Sequence, residues 1–322
     1  MTNDERRKLN GRSTFVFHHS SFVCAFALFL SACAASAAPP EIAPRRALAA
    51  GVLAGQPYAV GGWSGTTTQL DTVERLDGDR WVSGPMLNVA RSQHGLVSLA
   101  DRLWVVGGWS ATVGLVSEVE ALGSGDAVWT TVTHLPTPRR EPGVAVWDQR
   151  IVVAGGFDGA SDADLDGYSD VVEAYDPQED AWEKLPRLNV PRRGLTLVAI
   201  AESLYAIGGY STEGGYSAVV ERLEVGGHAW STLEWSIEAR TWAAALEWEG
   251  DLLIVGGFDS SGYLGLVERV DVRTGSVCHP PPLARPRAWL AAAKFDGRVL
   301  TLGGEEPTGI GGAAEWIETQ CR

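Results

Sequence analysis

The chain has 322 residues, 45% of them hydrophobic and 20% charged, with 38 glycines, 13 tryptophans and four cysteines, a composition typical of a globular protein. Forty acidic against 26 basic side chains give a net charge of −14. A chain this acidic is a poor polyanion binder, which argues against nucleic acid as a partner, although a local arginine cluster can still hold a small anionic ligand.

The first 38 residues stand apart from the rest. Arg6, Arg7, Lys8 and Arg12 precede an apolar run around Phe22–Leu30, and small residues follow. This is the pattern of a secretory signal, too short for a spanning helix, which needs roughly 20 apolar residues. Leu30-Ser31-Ala32-Cys33 resembles the bacterial lipobox, whose cysteine is lipidated and becomes the new N-terminus; cleavage after Ala35-Ser36-Ala37 is the alternative. The expected organisation is a signal peptide at 1–32, a short tether at 33–38 and one folded domain at 39–322. The protein is then exported as a periplasmic or cell-surface lipoprotein, held to a membrane, the outer one by expectation, through lipid on Cys33. Losing residues 1–32 removes four basic and two acidic side chains, so the charge moves from −14 to −16.

From residue 46 onward one unit repeats. Apolar runs end in glycine pairs at 61–62, 107–108, 155–156, 208–209, 256–257 and 303–304, and Trp63, Trp109, Phe157, Tyr210, Phe258 and Glu305 follow them. A period of 46 to 53 residues marks a propeller or solenoid. An arginine stands 15 or 16 residues before each pair: Arg46, Arg91, Arg140, Arg193, Arg240 and Arg287. A glutamate comes after each pair, at Glu74, Glu120, Glu173, Glu221, Glu268 and Glu315, and Trp81, Trp129, Trp182 or Trp230 comes later in four copies. Each unit holds about four short apolar runs separated by turn residues. Phe295-Asp296-Gly297-Arg298 is a stronger hairpin signal than Asp148-Gln149-Arg150, because Asp-Gly supplies the positive φ angles of a tight turn.

Arginine, strand, strand with glycine pair, strand, tryptophan: the unit resembles the kelch repeat, and six copies cover residues 46 to 318. The mid-strand tyrosine of that repeat is present only as Tyr175, and Val277-Cys278 replaces tryptophan in the fifth copy. The resemblance implies an all-β, six-bladed propeller, expected as a monomer. Four-stranded sheets arranged radially leave only short, protected edges. The sixth unit reaches Glu315–Glu318 before a fourth strand could form, whereas residues 39–46 read like the tail of one. The N-terminal segment is therefore expected to close the last blade, which removes the open edge.

Meander topology puts the B–C and D–A loops on one face. That face is expected to carry Arg91, Arg140, Arg193, Arg240 and Arg287, the residues Trp63, Trp109, Tyr210 and Glu305, and also Trp242 and Trp289, two residues after their arginines. Exposed aromatics beside arginines suit a sugar ring or a peptide. The third unit has a longer B–C loop containing Asp162, Asp164, Asp166, Tyr168 and Asp170, followed by Glu173. Carboxylates at alternate positions around a glycine match a calcium loop, with the Tyr168 carbonyl and Glu173 completing the set. Besides the lipidated Cys33, Cys278 and Cys321 are the only cysteines left after lipobox cleavage, and export favours a disulfide between them.

No nucleophile elbow, zinc-protease helix, P-loop or C-x-x-C occurs, so no catalytic residue is assigned. The leading expectation is a non-enzymatic exported module binding a protein, peptide or glycan. The alternative is a carbohydrate-acting enzyme resembling the periplasmic kelch-type sialic-acid mutarotases, with Glu305 as its base. Fold alone does not choose between them.

Overall fold

The computed structural model describes residues 38–159, 164 and 167–321. Six antiparallel sheets of three or four strands follow one another along these residues, with four two-stranded hairpins in the loops between their strands. The first has strands Ala49–Leu53, Gln56–Val60, Val73–Asp77 and Arg80–Ser83, and the second has Gly95–Leu99, Arg102–Val106, Glu118–Gly123 and Thr130–His134. The third begins at Gly143–Trp147, the fourth at Thr196–Ile200 and the fifth at Ala244–Trp248, and each is a four-stranded meander. The sixth has three strands, Ala291–Phe295, Arg298–Leu302 and Ala314–Ile317. This is the six-bladed propeller expected from the repeat.

Period-two alternation explains why the sheets face one another. Strand A of blade 1 reads buried, partly buried, buried along Ala49–Leu53, while the second strands are buried on both sides, as at Leu103–Val106. The apolar side chains gather into six separate cores, each shared by two neighbouring blades. Leu53, Val60 and Val73 of blade 1, for example, meet Leu103, Val105 and Trp129 of blade 2. The sixth core joins blade 6 to blade 1 through Ile42, Ala59, Ala291, Leu300 and Leu302.

Closure of the ring rests on the N-terminal segment. Ile42 N–H donates to the Gly312 carbonyl at 3.0 Å, as Leu87 N–H donates to Asp71 and Leu188 N–H to Asp170 in other blades. Trp81 Nε1 donates to the Pro40 carbonyl at 2.8 Å, matching Trp129 to Pro85 and Trp230 to Pro186. Residues 38–46 thus supply the connector into blade 1 and complete the seam of blade 6. At the other end, Cys278 of blade 5 and Cys321 are joined by a disulfide with their Cα atoms 6.0 Å apart.

The buried arginines need a correction of register. Those that enter the blades are Arg45, Arg91, Arg139, Arg192, Arg240 and Arg287, each ion-paired with the repeat glutamate of its own blade: Glu74, Glu120, Glu173, Glu221, Glu268 and Glu315. Arg46, Arg140 and Arg193 are the second members of arginine doublets and stand one position later. Arg91 shows the pattern. Its Nη1 donates to the carbonyls of Gly107 and Glu118, its Nη2 to Glu120, and Glu120 also accepts the N–H groups of Asn88 and Val89. Burial pulls the Arg91 guanidinium below its ordinary value, and Glu120 opposes that pull. The Arg91 carbonyl meanwhile accepts Gly62 N–H of blade 1 at 2.9 Å. One residue therefore pins its own blade with its side chain and the previous blade with its backbone.

This close approach also explains the glycine pairs. Gly61 and Gly62 have φ of 58° and 102°, and a Cβ on Gly61 would lie 2.7 Å from the Arg91 carbonyl oxygen.

Removing one partner of a buried ion pair leaves an uncompensated charge. Arg192→Met is expected to cost about 3–5 kcal/mol. Arg193→Ala, one residue later and partly exposed, is expected to cost no more than about 1 kcal/mol. Chemical denaturation of both variants checks the register; equal losses would contradict it.

Candidate functional site

The residue after each doublet position forms a ring around the propeller axis. Ala47, Gln93, Glu141, Gly194, Trp242 and Trp289 all have φ between 52° and 62°. Each N–H donates to the carbonyl of the member in the preceding blade: Gln93 to Ala47, Glu141 to Gln93, Gly194 to Glu141, Trp242 to Gly194, Trp289 to Trp242 and Ala47 to Trp289, all at 2.8–3.1 Å. The left-handed conformation is costly for side-chain-bearing residues. Here it turns one N–H and one C=O per blade tangentially, so that six hydrogen bonds close on themselves. Leu48, His94, Pro142, Leu195, Ala243 and Leu290 form a second tier below. The two tiers enclose an axial cavity of about 110 Å³.

The mouth of this cavity is asymmetric. Trp242 and Trp289, neighbours in the ring, stack with centroids 4.1 Å apart and planes 18° apart. Trp242 Nε1 donates to Glu141 Oε2 at 2.8 Å, Gln93 Nε2 donates to Glu141 Oε1 at 3.0 Å, and Arg193 Nη1 stands 3.9 Å from that oxygen. Both indoles are partly exposed. Their counterparts in the other blades are Ala47, Gln93, Glu141 and Gly194, whereas counting from the second arginine of each doublet points to Leu48, Pro142 and Leu195 instead.

Around the mouth the B–C loops carry a belt of rings. The Arg140 guanidinium lies 5.5 Å from the Trp109 ring and 4.8 Å from Phe157, and Arg193 lies 5.0 Å from Phe157 and 5.4 Å from Tyr168. Tyr168, Tyr210, Tyr216 and Phe258 follow at centroid spacings of 6.3, 5.1 and 6.0 Å, and Phe258 reaches Trp242 at 5.9 Å. On the far side Arg46 is ion-paired with Glu305 and lies 4.6 Å over the Trp63 ring. Three arginines placed on this face by the sequence reading are not there: Arg91, Arg240 and Arg287 are at most 2% exposed, in the ion pairs beneath it. Burial, which favours charge neutralisation within the blade, decided their position. Tyr216 and Tyr263, in the short B–C hairpins, and Glu141 were missed; only the Glu-Pro step after Arg139-Arg140 marked the last.

The aspartate-rich insertion is only partly described. Asp162 and Asp166 lie outside the described residues, as does Cys33. Asp164 and Asp170 are described, and Asp170 is ion-paired with Arg187. Glu173 leaves the metal set: its carboxylate is buried between Arg139, at 2.7 Å, and the Thr137 hydroxyl, at 2.8 Å. Asp158 lies near the insertion. Burial first of all pushes its carboxyl up, Arg139 opposes, and Asp164 and Asp170 add to the rise.

The fold is that of a six-bladed β-propeller, and part of the chain matches a known repeat. The Kelch motif is matched at residues 44–87, 138–189 and 191–234. The chain is similar to Kelch-like protein 22 of Rattus norvegicus, 37% identical over 110 residues, which is 33% of this chain and 17% of that protein. It is also similar to Kelch-like protein 36 of the same species, 24% identical over 187 residues, 56% of this chain and 29% of that one. Beta-scruin of Limulus polyphemus is 25% identical over 196 residues, 56% of this chain and 21% of that one. The match thus spans less than a third of the length of each relative. Among solved structures, that of YjhT superposes with a TM-score of 0.70 at 15% identity, covering 87% of this chain and 95% of that one, a likeness of fold.

His94 occupies a second-tier position that is leucine in three blades. Burial, with the Arg91 charge adding to it, lowers its pKa from 6.5 to about 3, and only the Val60 carbonyl favours the protonated form. A histidine depressed in the folded state contributes stability that is fully present above pH 6.5 and is lost as pH falls toward 3. At pH 5 that loss is about 2 kcal/mol. His94→Leu is expected to remove it, flattening the acid limb of the stability profile measured by denaturation from pH 7 to 4; parallel profiles would refute it.

Proposed function

We propose that this protein is an exported, non-enzymatic binding module that presents the loop face around its axial mouth to a protein, peptide or glycan. The observation that carries this reading is the belt of partly exposed rings running from Trp109 through Tyr168, Tyr210 and Phe258 to Trp242 and Trp289, with the guanidinium groups of Arg140 and Arg193 against its first members. Aromatic side chains and arginine dominate recognition hot spots because they bury large area at small entropic cost. The enzymatic alternative needs Glu305 to move protons. Its commitment to the ion pair with Arg46 supports binding over catalysis.

The test probes glycan and peptide arrays with the purified propeller and with a Tyr210→Ala variant. Wild type is expected to retain a ligand that the variant loses, a change of roughly tenfold or more in affinity. Empty arrays combined with accelerated mutarotation of sialic acid would overturn the reading in favour of the enzyme.

The same reading includes a calcium ion on the third-blade insertion. The alternating spacing of Asp162, Asp164, Asp166 and Asp170 supports it, and Asp158 joins the set in place of Glu173. A cation relieves the mutual repulsion of these carboxylates. Bound at a hundredfold excess over its dissociation constant, calcium would add about 2.7 kcal/mol of stability. Chelator is expected to lower the melting temperature of the wild type but not of an Asp164→Ala, Asp166→Ala variant. Identical melting of the wild type with and without calcium would leave a solvated acidic loop.

The leader supports export and a lipid on Cys33. A Cys33→Ala variant is expected in the soluble fraction after cell lysis, with the wild type in the membrane fraction; membrane association of the variant would refute the anchor.

A further inference from the structure

A second cavity, of about 210 Å³, opens beside the axial one and shares Ala47, Gln93 and Trp289 with it. Arg46, Trp63, Gln69 and Ser92 complete its lining, so it belongs to blades 1, 2 and 6 rather than to the belt over blades 3 to 5. Two indoles wall it. One face of Trp289 is covered by Trp242, which leaves the rest of that ring toward the cavity. Trp63 is fixed by its Nε1 hydrogen bond to the Thr66 carbonyl and by the Arg46 guanidinium over its ring.

The polar groups between the indoles are complementary in kind. Gln69 spends its carbonyl oxygen on Ala111 N–H, which leaves its NH₂ as a donor. Gln93 spends its NH₂ on Glu141, which leaves its carbonyl as an acceptor. Ser92 supplies a hydroxyl. Arg46 bonds Glu305 through Nη1, and that pairing neutralises its charge while its other N–H groups remain available. Most of the lining backbone is already spent. Ala47, Gln93 and Trp289 use their N–H and C=O groups in the axial ring, and Arg46 and Trp63 exchange theirs with each other.

We infer that this cavity takes one neutral pyranose ring of a glycan. The inference rests on the binding-module reading and names its ligand class. A pyranose has an apolar C–H face to lie against an indole and a rim of hydroxyls that both donate and accept, matching the amides, the hydroxyl and the guanidinium. An extended peptide would instead seek backbone partners, and most of those are consumed here. A carboxylated sugar would meet Glu305 beside the arginine that should bind it. The volume, below the roughly 300 Å³ at which drug-sized pockets begin, suits a single ring.

The experiment is calorimetry of the folded chain with the methyl glycosides of glucose, galactose and mannose, with N-acetylneuraminic acid as the charged comparison and the peptide array in parallel. At least one neutral glycoside is expected to bind. Trp289→Ala is expected to weaken it about tenfold or more, as loss of an aromatic anchor does. Gln69→Ala, at a partly exposed position, is expected to weaken it about threefold or more with the melting temperature unchanged, which guards against misfolding of the tryptophan variant. Binding of the acidic sugar or of peptides without any neutral glycoside overturns this inference and leaves the module reading standing. Silence from all probes overturns both. Neutral-sugar binding of equal strength in both variants removes the ligand from this cavity.

Discussion

A guanidinium cannot be taken out of water without an anion, and each blade is built to meet that demand. The propeller has to end its second strand near the axis and start its third from the far side of a loop. Carbonyls at the end of the second strand and the start of the third then take a side chain as donor in place of a neighbouring strand. Arg91 fills this vacancy in blade 2, bonding the Gly107 and Glu118 carbonyls while Glu120 balances its charge. Glu120 then uses its remaining lone pairs on the N–H groups of the incoming connector. An apolar residue could pack in that space, but it could not satisfy those backbone groups. The pair is therefore less a source of net stability than the only chemistry that lets the chain turn there while buried.

Everything else in the architecture follows from where that arginine puts its backbone. Its carbonyl reaches into the preceding blade, which forces glycine at the strand end and sets the distance between blades. Two residues further on, the chain has entered the axial ring. The seam between blades 6 and 1 obeys the same rule through Arg45, whose carbonyl accepts Gly304 N–H. Ring closure is thus chemically identical to every other seam, made by a segment that precedes the first repeat in sequence.

The repeat, the blade number and the manner of closure were legible because they depend on residue types with few substitutes. Only glycine tolerates the strand-end carbonyl, and only the arginine–glutamate pair suits the buried turn. The register of the arginines was harder, because Arg45-Arg46, Arg139-Arg140 and Arg192-Arg193 offer two candidates each. A constant spacing of 16 residues to the first glycine, as from Arg91 to Gly107, singles out the first member every time. The axial ring was not legible. Its left-handed backbone falls on alanine, glutamine, glutamate and tryptophan, which carry no signal for positive φ; Gly194 alone does. Tyr216 and Tyr263 were missed for a related reason, since two-residue hairpins inside the B–C loops leave no periodicity to read.

The ring also explains why the mouth can be asymmetric in a molecule with six equivalent blades. Its hydrogen bonds run through backbone atoms only, so closure places no demand on which side chains project from it. The cost of left-handed residues, about 1–2 kcal/mol each, is offset by the two hydrogen bonds that every member makes. Side-chain identity at the mouth is then free to differ from blade to blade. Adjacent members stand close enough to stack when both are large, as Trp242 and Trp289 do, and an acidic member is reached both by its neighbour and across a glycine, as Gln93 and Trp242 share Glu141. The arginine doublets act in the same way one position earlier, adding Arg46, Arg140 and Arg193 to the face of blades 1, 3 and 4 where the others have Ser92, Thr241 and Ala288. A scaffold that is held by its backbone and its buried arginines leaves the whole mouth to vary, and it is there that this chain departs from its own repeat.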